Sequence, residues 1–163
     1  MSIGDCKILR LDPASIVQGD PELHNLPVSD AGRPDHFVVD NSGALFAGRH
    51  LIVDLWDVPA AFLTDIGLIR HTLTDAAIIA GATLLNIHLH CFEPNGGISG
   101  VAILAESHIS IHTWPERGYA AIDAFMCGNT RPERSIDVLR RSFQPGRLET
   151  QELRRGIMVA DDE

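Results

Sequence analysis

The sequence is short of cysteine and of positive charge, and each shortage excludes a class of protein. Three cysteines among 163 residues, with no CxxC spacing, fit a reducing cytoplasm and do not fit a disulfide framework. The 13 basic residues stand against 22 acidic ones, which leaves a net charge of −9. No Lys/Arg cluster is interleaved with aromatics, so no nucleic-acid partner is expected.

Long apolar runs are missing as well. No stretch approaches the roughly 20 apolar residues that span a bilayer, and no basic segment followed by an apolar one opens the chain. We therefore expect a cytoplasmic protein without a membrane partner. The hydrophobic fraction of 45% is enough for one domain with a substantial core.

The chain divides into two parts of different composition. Residues 1–47 are rich in Pro, Asp, Gly and Ser without a sustained period, and they predict a loosely ordered extension with a short strand at 36–40. Residues 48–158 carry clear periodic patterns and predict a single domain.

The periodic part predicts the order β-α-β-β-α-β once hairpin pieces are merged. Strand patterns occupy residues 50–56, 83–92, 98–114, 119–127 and 148–156, and helical patterns occupy 57–81 and 130–143. Asp57 or Thr64 is expected to cap the first helix, and Thr130 the second. The fold class is therefore α+β: a two-layer α/β sandwich with an antiparallel or mixed sheet and helices on one face. The other face is left for solvent or a partner.

One stretch, "AESHISIHTWPERGYAAIDAFMCG" (105–128), carries more reactive side chains than a core strand needs. Residues of equal parity share a strand face, so His108, Ser110 and His112 lie together. His88 and His90 share a face on an earlier strand. Imidazoles on neighbouring strands are compatible with a zinc site, but their spacing matches no specific metal motif, and a polar surface role is favoured.

The same stretch offers the residue types of a nucleophilic enzyme. Ser107 or Ser99 with His112 and Asp123 would make a serine triad, and Cys127 with His112 a thiol pair. The GxSxG elbow of the α/β hydrolases is absent. The residues taken singly leave these alternatives open.

Three segments together resemble the bacterial and archaeal S-adenosylmethionine decarboxylases. They are "GRHLIVDLWDV", "HCFEPNGGISGVAILAESHISIHTWPERGYAAIDAFMCG" and the closing "LRRG", and the resemblance spans Gly48 to about Gly156. The ESH, IHTWPE and CG elements occur together at the family's spacing. Members are self-processing, pyruvoyl-dependent enzymes of polyamine and spermidine biosynthesis.

The resemblance implies that the chain cuts itself between Glu106 and Ser107, into 1–106 and 107–163. The Ser107 hydroxyl attacks the preceding carbonyl, the resulting ester eliminates, and the new N-terminus becomes a covalent pyruvoyl group. Such a ketone forms a Schiff base with the substrate amine and accepts the electrons released as CO2 leaves, so neither a metal nor pyridoxal phosphate is expected. A break in the strand near Ser107 would favour the acyl shift.

Further roles are implied by position within the resemblance. Ser99 and His112 match the family's processing residues, the hydroxyl stabilising the cyclic intermediate and the imidazole accepting the Ser107 α-proton. Cys127 matches the proton donor to the decarboxylated carbon. Glu116 matches the acid that holds the ribose hydroxyls, and Phe92 the aromatic that stacks on adenine.

The resemblance also implies a homodimer of processed two-chain units, with substrate sites near the interface. The hairpin "FEPNGGIS" is one residue longer than the commoner family form. Two alternatives remain: the same chemistry on arginine or ornithine, and a non-enzymatic or metal-binding dimeric module in which Ser107 stays uncleaved.

Overall fold

Alternation of apolar and polar residues builds the central strands of the protein. A computed structural model describes residues 37–39 and 42–158. Within them the strands are β1 Val38–Val39, β2 Leu45–Trp56, β3 Leu84–Cys91, β4 Ile98–Leu104, β5 Ser107–Trp114, β6 Tyr119–Met126 and β7 Arg147–Ile157. The helices are α1 Ala60–Leu63, α2 Ile66–Ile79 and α3 Ser135–Phe143.

All strand pairs are antiparallel and form one seven-stranded sheet. The order is β3-β4-β5-β6-β2, with β7 on the outer edge of β2 and β1 beside the first residues of β2. Residues 98–114, predicted as one strand, form the hairpin of β4 and β5. Four strands, β3 to β6, therefore lie between α2 and α3. The predicted α+β sandwich is confirmed.

One face of the sheet holds the core. Leu51, Val53 and Leu55 on β2 are at most 2% exposed, and the residues of matching parity on β5 and β6 are equally buried. On α2, the buried positions Ile69 and Leu73 are four residues apart, so that one helical stripe packs on the sheet. The opposite face carries polar and aromatic side chains and no helix among the described residues.

Three predicted helix caps are wrong, because local hydrogen bonds place the boundaries elsewhere. A break at Thr64 separates α1 from α2, and the carboxylate of Asp65 caps α2 by accepting a hydrogen bond from the Leu68 amide at 2.9 Å. Thr130 donates its hydroxyl to the Cys127 carbonyl at 2.8 Å, and a 3₁₀ turn at Pro132–Arg134 leads into α3.

The domain begins earlier in the chain than the sequence predicted. Residues 1–36, most of the predicted extension, lie outside the described residues, and β2 begins at Leu45, inside the range assigned to that extension. The predicted edge strand is present as β7. Cys127 carries a thiol. No helix of the described part of the chain is long and apolar enough to cross a membrane.

Candidate active site

The β4–β5 hairpin turns within two residues, at Ala105 and Glu106, because Leu104 pairs directly with Ser107. Ser107 has a φ of +138°, a conformation that L side chains rarely adopt. Such backbone strain costs on the order of 1–3 kcal/mol and persists only where surrounding contacts enforce it. The predicted irregularity near Ser107 is therefore present, and it falls on the residue expected to react.

The carbonyl that precedes Ser107 is held by two donors from one residue. The backbone N–H of Cys127 donates to the Glu106 oxygen at 3.0 Å, and the Cys127 thiol donates to the same oxygen at 3.1 Å. Two donors on a carbonyl oxygen draw electron density from its carbon and stabilise negative charge that develops on the oxygen during nucleophilic attack. The arrangement is that of an oxyanion hole aimed at a peptide bond.

The other side of the turn is tied to Thr83, at the entry to β3. The Thr83 amide and hydroxyl donate to the two carboxylate oxygens of Glu106 at 2.8 and 3.1 Å, and the Ala105 amide donates to the Thr83 carbonyl at 2.9 Å. Sequence reasoning missed Thr83, since nothing in a motif reports a contact across 23 positions. These bonds, with those of Cys127, enforce the strained turn.

The Ser107 hydroxyl lies 3.1 Å from Nδ1 of the neighbouring His108. We call this set of residues the turn cluster: Thr83, Glu106, Ser107, His108 and Cys127. It unites three of the residues to which the resemblance assigned a role, namely Glu106, Ser107 and Cys127.

A second set lies at the open end of the same hairpin. Ser99 on β4 pairs in register with His112 on β5, and the Ser99 hydroxyl is 2.8 Å from Nδ1 of His112. The resemblance implied that both residues take part in processing, and in the structure a hydrogen bond joins them.

A cavity of about 470 Å³ opens beside this pair. It is lined by Phe92, Glu93, Pro94, Asn95, Gly97, Ser99, Thr113 and Trp114. Phe92 is 47% exposed and packs edge-on against His90 at 4.6 Å between ring centroids. The amide of Asn95 donates to the Glu116 carboxylate at 3.3 Å, which holds Glu116 at the rim.

Glu116 owes its position to a short 3₁₀ turn, Pro115–Arg117. The turn closes at Gly118, whose φ of +58° suits glycine. We call the second set the cavity cluster: Phe92, Asn95, Ser99, His112 and Glu116.

The two clusters do not meet within one chain. Ser107 and His112 lie on the same strand five positions apart, so their Cα atoms are separated by roughly 16 Å at the usual rise of a β-strand. His112 therefore cannot reach Ser107 of its own chain in this arrangement. The resemblance implied that His112 accepts the Ser107 α-proton, and within one chain the two residues are too far apart for that transfer.

The alternative constellations are not assembled. Asp123 accepts a hydrogen bond from Ser110 at 3.2 Å and lies 3.4 Å from His50, whereas His112 contacts Ser99. The serine triad is therefore not formed. Strand β4 separates the β3 imidazoles from β5, and no three His, Cys, Asp or Glu side chains of residues 37–39 and 42–158 are grouped to hold a metal ion.

A polar and aromatic group beside the cavity cluster was not foreseen. The Tyr119 hydroxyl donates a hydrogen bond to the Asp54 carboxylate, and its ring lies 4.3 Å from Trp56 and 5.2 Å from Trp114. Burial, the bond to Asp54 and the negative charges of Asp54 and Asp123 raise the pKa of Tyr119 to about 12. The phenol is therefore neutral throughout the physiological range.

An antiparallel sheet with helices on one face, together with a strained serine next to a carbonyl that accepts two hydrogen bonds, points to a small α+β enzyme whose candidate reactive groups lie at strand ends and in the adjoining turns. Comparison with known families makes this specific. A family model described as S-adenosylmethionine decarboxylase matches residues 49–156, and the chain belongs to that family. The predicted family and its decarboxylase class are confirmed.

Individual relatives agree with the family model. The chain is 46% identical over 113 residues to the S-adenosylmethionine decarboxylase proenzyme of Thermomicrobium roseum, covering 69% of this chain and 96% of that protein. It is 52% identical over 114 residues to the proenzyme of Parasynechococcus marenigrum, covering 69% and 88%. The crystal structure of the adenosylmethionine decarboxylase from Aquifex aeolicus is similar with a TM-score of 0.64 at 36% identity, covering 72% of this chain and 98% of that one.

Proposed function

We propose that this protein is a pyruvoyl-dependent S-adenosylmethionine decarboxylase that makes its prosthetic group by cutting its own chain between Glu106 and Ser107. The observation that carries the proposal is the turn cluster. Ser107 is strained at φ +138°, and the carbonyl it would attack already accepts two hydrogen bonds from Cys127. An ordinary hairpin turn requires neither feature.

The residues of the turn cluster divide the work of cleavage. The Ser107 hydroxyl oxygen attacks the Glu106 carbonyl carbon, and the Cys127 amide and thiol stabilise the charge that forms on the Glu106 oxygen. Thr83 holds the Glu106 side chain and so keeps the turn in its strained form. Expulsion of the Ser107 nitrogen converts the peptide to an ester and relieves that strain.

The residues around Ser107 also suit the pyruvoyl group into which the ester would be converted. A pyruvoyl ketone at the new N-terminus would supply an electron sink for the pair that CO2 leaves on the substrate. The Cys127 thiol, within hydrogen-bond reach of the atoms flanking Ser107, is placed to return a proton to the decarboxylated carbon.

We assign the cavity cluster to the nucleoside part of the substrate. Phe92 offers an exposed aromatic face to adenine, and the Glu116 carboxylate, held by Asn95, offers acceptors to two ribose hydroxyls. Arginine and ornithine have no nucleoside to fill this cavity. They are not favoured, because the curated relatives are named S-adenosylmethionine decarboxylase proenzymes.

The working unit is a homodimer of processed two-chain units. The two clusters lie roughly 16 Å apart on one strand, so a complete site needs the turn cluster of one copy beside the cavity cluster of another. The sheet face that carries both clusters has no helix over it among the described residues, and it exposes aromatic groups such as Trp114, which is 39% exposed. Packing of two such faces would bring the clusters together twice.

Residues 48–158 form the catalytic domain of this proposal, preceded by the extension 1–47 and cut into 1–106 and 107–163. We place the protein in the cytoplasm, because the Cys127 thiol must stay reduced to donate a proton.

The intact mass of the denatured, freshly purified protein tests the cleavage. We expect two fragments dividing at Glu106 and Ser107, the second with a ketone in place of a free amine. Ser107→Ala should remain one chain, whereas the matched control Ser110→Ala, on the same strand and bonded to Asp123, should divide normally. A wild-type chain that stays whole after long incubation would refute the proposal.

Release of CO2 from carboxyl-labelled compounds tests the substrate. S-adenosylmethionine should release label with processed protein, and arginine and ornithine should not. Loss of activity in Glu116→Gln through a raised KM, with cleavage unchanged, would support the assignment of the cavity. Faster release from arginine than from S-adenosylmethionine would overturn it.

A further inference from the structure

The acyl shift needs a group that accepts the Ser107 hydroxyl proton, and the processing scheme derived above does not supply one. His112 lies five positions away on the same strand, and the His112 that a second copy would bring is assigned to the later removal of the Ser107 α-proton. Cys127 donates to the Glu106 carbonyl and so cannot accept the proton in that arrangement. Thr83 is occupied with the Glu106 carboxylate.

We propose that His108 is the general base of self-cleavage, a role that rests on the proposed cleavage at Ser107. Its Nδ1 lies 3.1 Å from the Ser107 hydroxyl oxygen, within the range in which a base takes a proton directly. With the ring proton on Nε2, Nδ1 carries the lone pair that this transfer requires.

The backbone strain at Ser107 explains how neighbours in sequence come to face each other. In a regular strand, Ser107 and His108 would point to opposite faces of the sheet. The φ of +138° at Ser107 breaks that alternation, and its hydroxyl turns toward the imidazole. The same distortion therefore activates the peptide and delivers the nucleophile to its base.

The His108 ring is kept in place by the neighbouring strand. His108 pairs in register with Phe125 on β6, and their ring centroids are 6.2 Å apart at an interplanar angle of 58°. Both His108 and Ser107 are partly buried. A ring held between the turn and an aromatic loses little freedom when it accepts the proton.

The step balances within the chain. The bond from the Glu106 carbon to the Ser107 oxygen forms, and the bond from the same carbon to the Ser107 nitrogen breaks. The proton taken by His108 Nδ1 from the hydroxyl is given to the departing nitrogen, which becomes a free amine. No outside reactant is consumed, and His108 returns to its starting state before the elimination step that follows.

Time courses of cleavage, followed by denatured mass, test this role. His108→Gln and His108→Ala should each slow cleavage by about 100-fold, the usual share of a general base. The exposed imidazole of His88 on β3 provides the matched control, and His88→Gln should cleave at the wild-type rate. Added imidazole should restore much of the cleavage in His108→Ala, which a purely structural role would not allow.

Treatment with hydroxylamine, which cuts esters, locates the blocked step. The whole chain of His108→Gln should resist hydroxylamine, because the ester has not formed, whereas that of His112→Ala should divide at Ser107. Cleavage of His108→Gln at the wild-type rate, or an accumulated ester in it, would overturn the base role while leaving self-cleavage intact. A folded His108→Ala that imidazole does not restore would also contradict it. A wild-type chain that never divides would instead refute the proposed function, and this role with it.

Discussion

The two ends of the β4–β5 hairpin differ in backbone strain and in shape. The turn end is strained and closed, with φ +138° at Ser107 and hydrogen bonds on both sides of the turn. The open end is unstrained and concave, with a cavity of about 470 Å³ beside the Ser99–His112 pair. In the proposed function, the turn end breaks a bond in the chain and the open end holds the substrate.

This difference is the basis of the proposal that a single copy of the chain is an incomplete enzyme. The strained residue follows the two-residue turn, whereas the cavity is lined mainly by the loop that precedes β4, and these lie at opposite ends of the hairpin. The rise of a β-strand fixes the gap between them at roughly 16 Å. In the proposed dimer, a second copy packed on the same sheet face would close the gap without any change in the fold.

The largest expected effect comes from mixing two inactive chains. Ser107→Ala has no nucleophile, and His112→Ala lacks the imidazole of the cavity cluster, so neither should cleave alone. In a hybrid dimer isolated with two different tags, the His112→Ala chain should divide, because the Ser107→Ala chain supplies His112. Denatured mass identifies which chain has been cut.

A matched hybrid defines the failure of that experiment. Pairing Ser107→Ala with a chain that carries both substitutions should give no cleavage, since neither chain retains the nucleophile. If the His112→Ala chain stays whole in the first hybrid although wild-type protein divides, the two ends act within one chain, and the proposed exchange between copies is wrong.

The next effect concerns the donors on the Glu106 carbonyl. Cys127→Ala removes the thiol and leaves the backbone N–H, so cleavage should slow by on the order of 100-fold, as for loss of one oxyanion donor. Cys127→Ser keeps a hydroxyl donor and should cleave faster than Cys127→Ala. Equal rates for the two variants would show that the thiol does not stabilise the oxyanion.

A smaller effect is expected on the other side of the turn. Thr83→Val keeps the shape of the side chain but removes one of the two bonds to Glu106, worth about 1 kcal/mol. We expect unfolding free energy to fall by about that amount and cleavage to slow by somewhat less than tenfold. Chemical denaturation and cleavage time courses measure both quantities. Thr74→Val, at a half-buried site on α2 where the hydroxyl also donates to a backbone carbonyl, is the control and should leave cleavage unchanged.

The fold was largely predictable from the sequence because its strands are simple. The alternation in β2 and the i, i+4 stripe of α2 identify the core face without any knowledge of pairing. The cap of α2 was misplaced, since Asp65 begins a second helix only because the chain turns at Thr64. Local propensity does not report such a break.

The candidate site was predictable residue by residue but not in its arrangement. The motif identified Ser107, Cys127, Ser99 and His112, and each lies among reactive or polar partners. The cross-strand contacts of Ser99 with His112 and of Cys127 with Glu106 depend on strand register, which spacing along the chain does not contain. Sequence reasoning did not identify Thr83, because its contact with Glu106 spans 23 positions. It did not assign His108 a role in processing, because the contact between His108 and Ser107 depends on the distorted φ of Ser107.

The smallest expected effect tests the electrostatics of the open end. The pKa of Tyr119 is raised to about 12 by burial and by Asp54 and Asp123, from an ordinary value near 10 in the unfolded chain. The folded state thus holds its proton more tightly, so this contribution to stability is complete below about pH 10 and is lost as the pH rises through about 12. Because Tyr119 is the one tyrosine of the sequence, ultraviolet absorbance of the phenolate reports it alone. Asp54→Asn should lower the midpoint, whereas Asp137→Asn on α3 should not. A midpoint near 10 in the wild-type protein would show that the open end is more hydrated than its contacts imply, and would weaken the contrast with the closed turn.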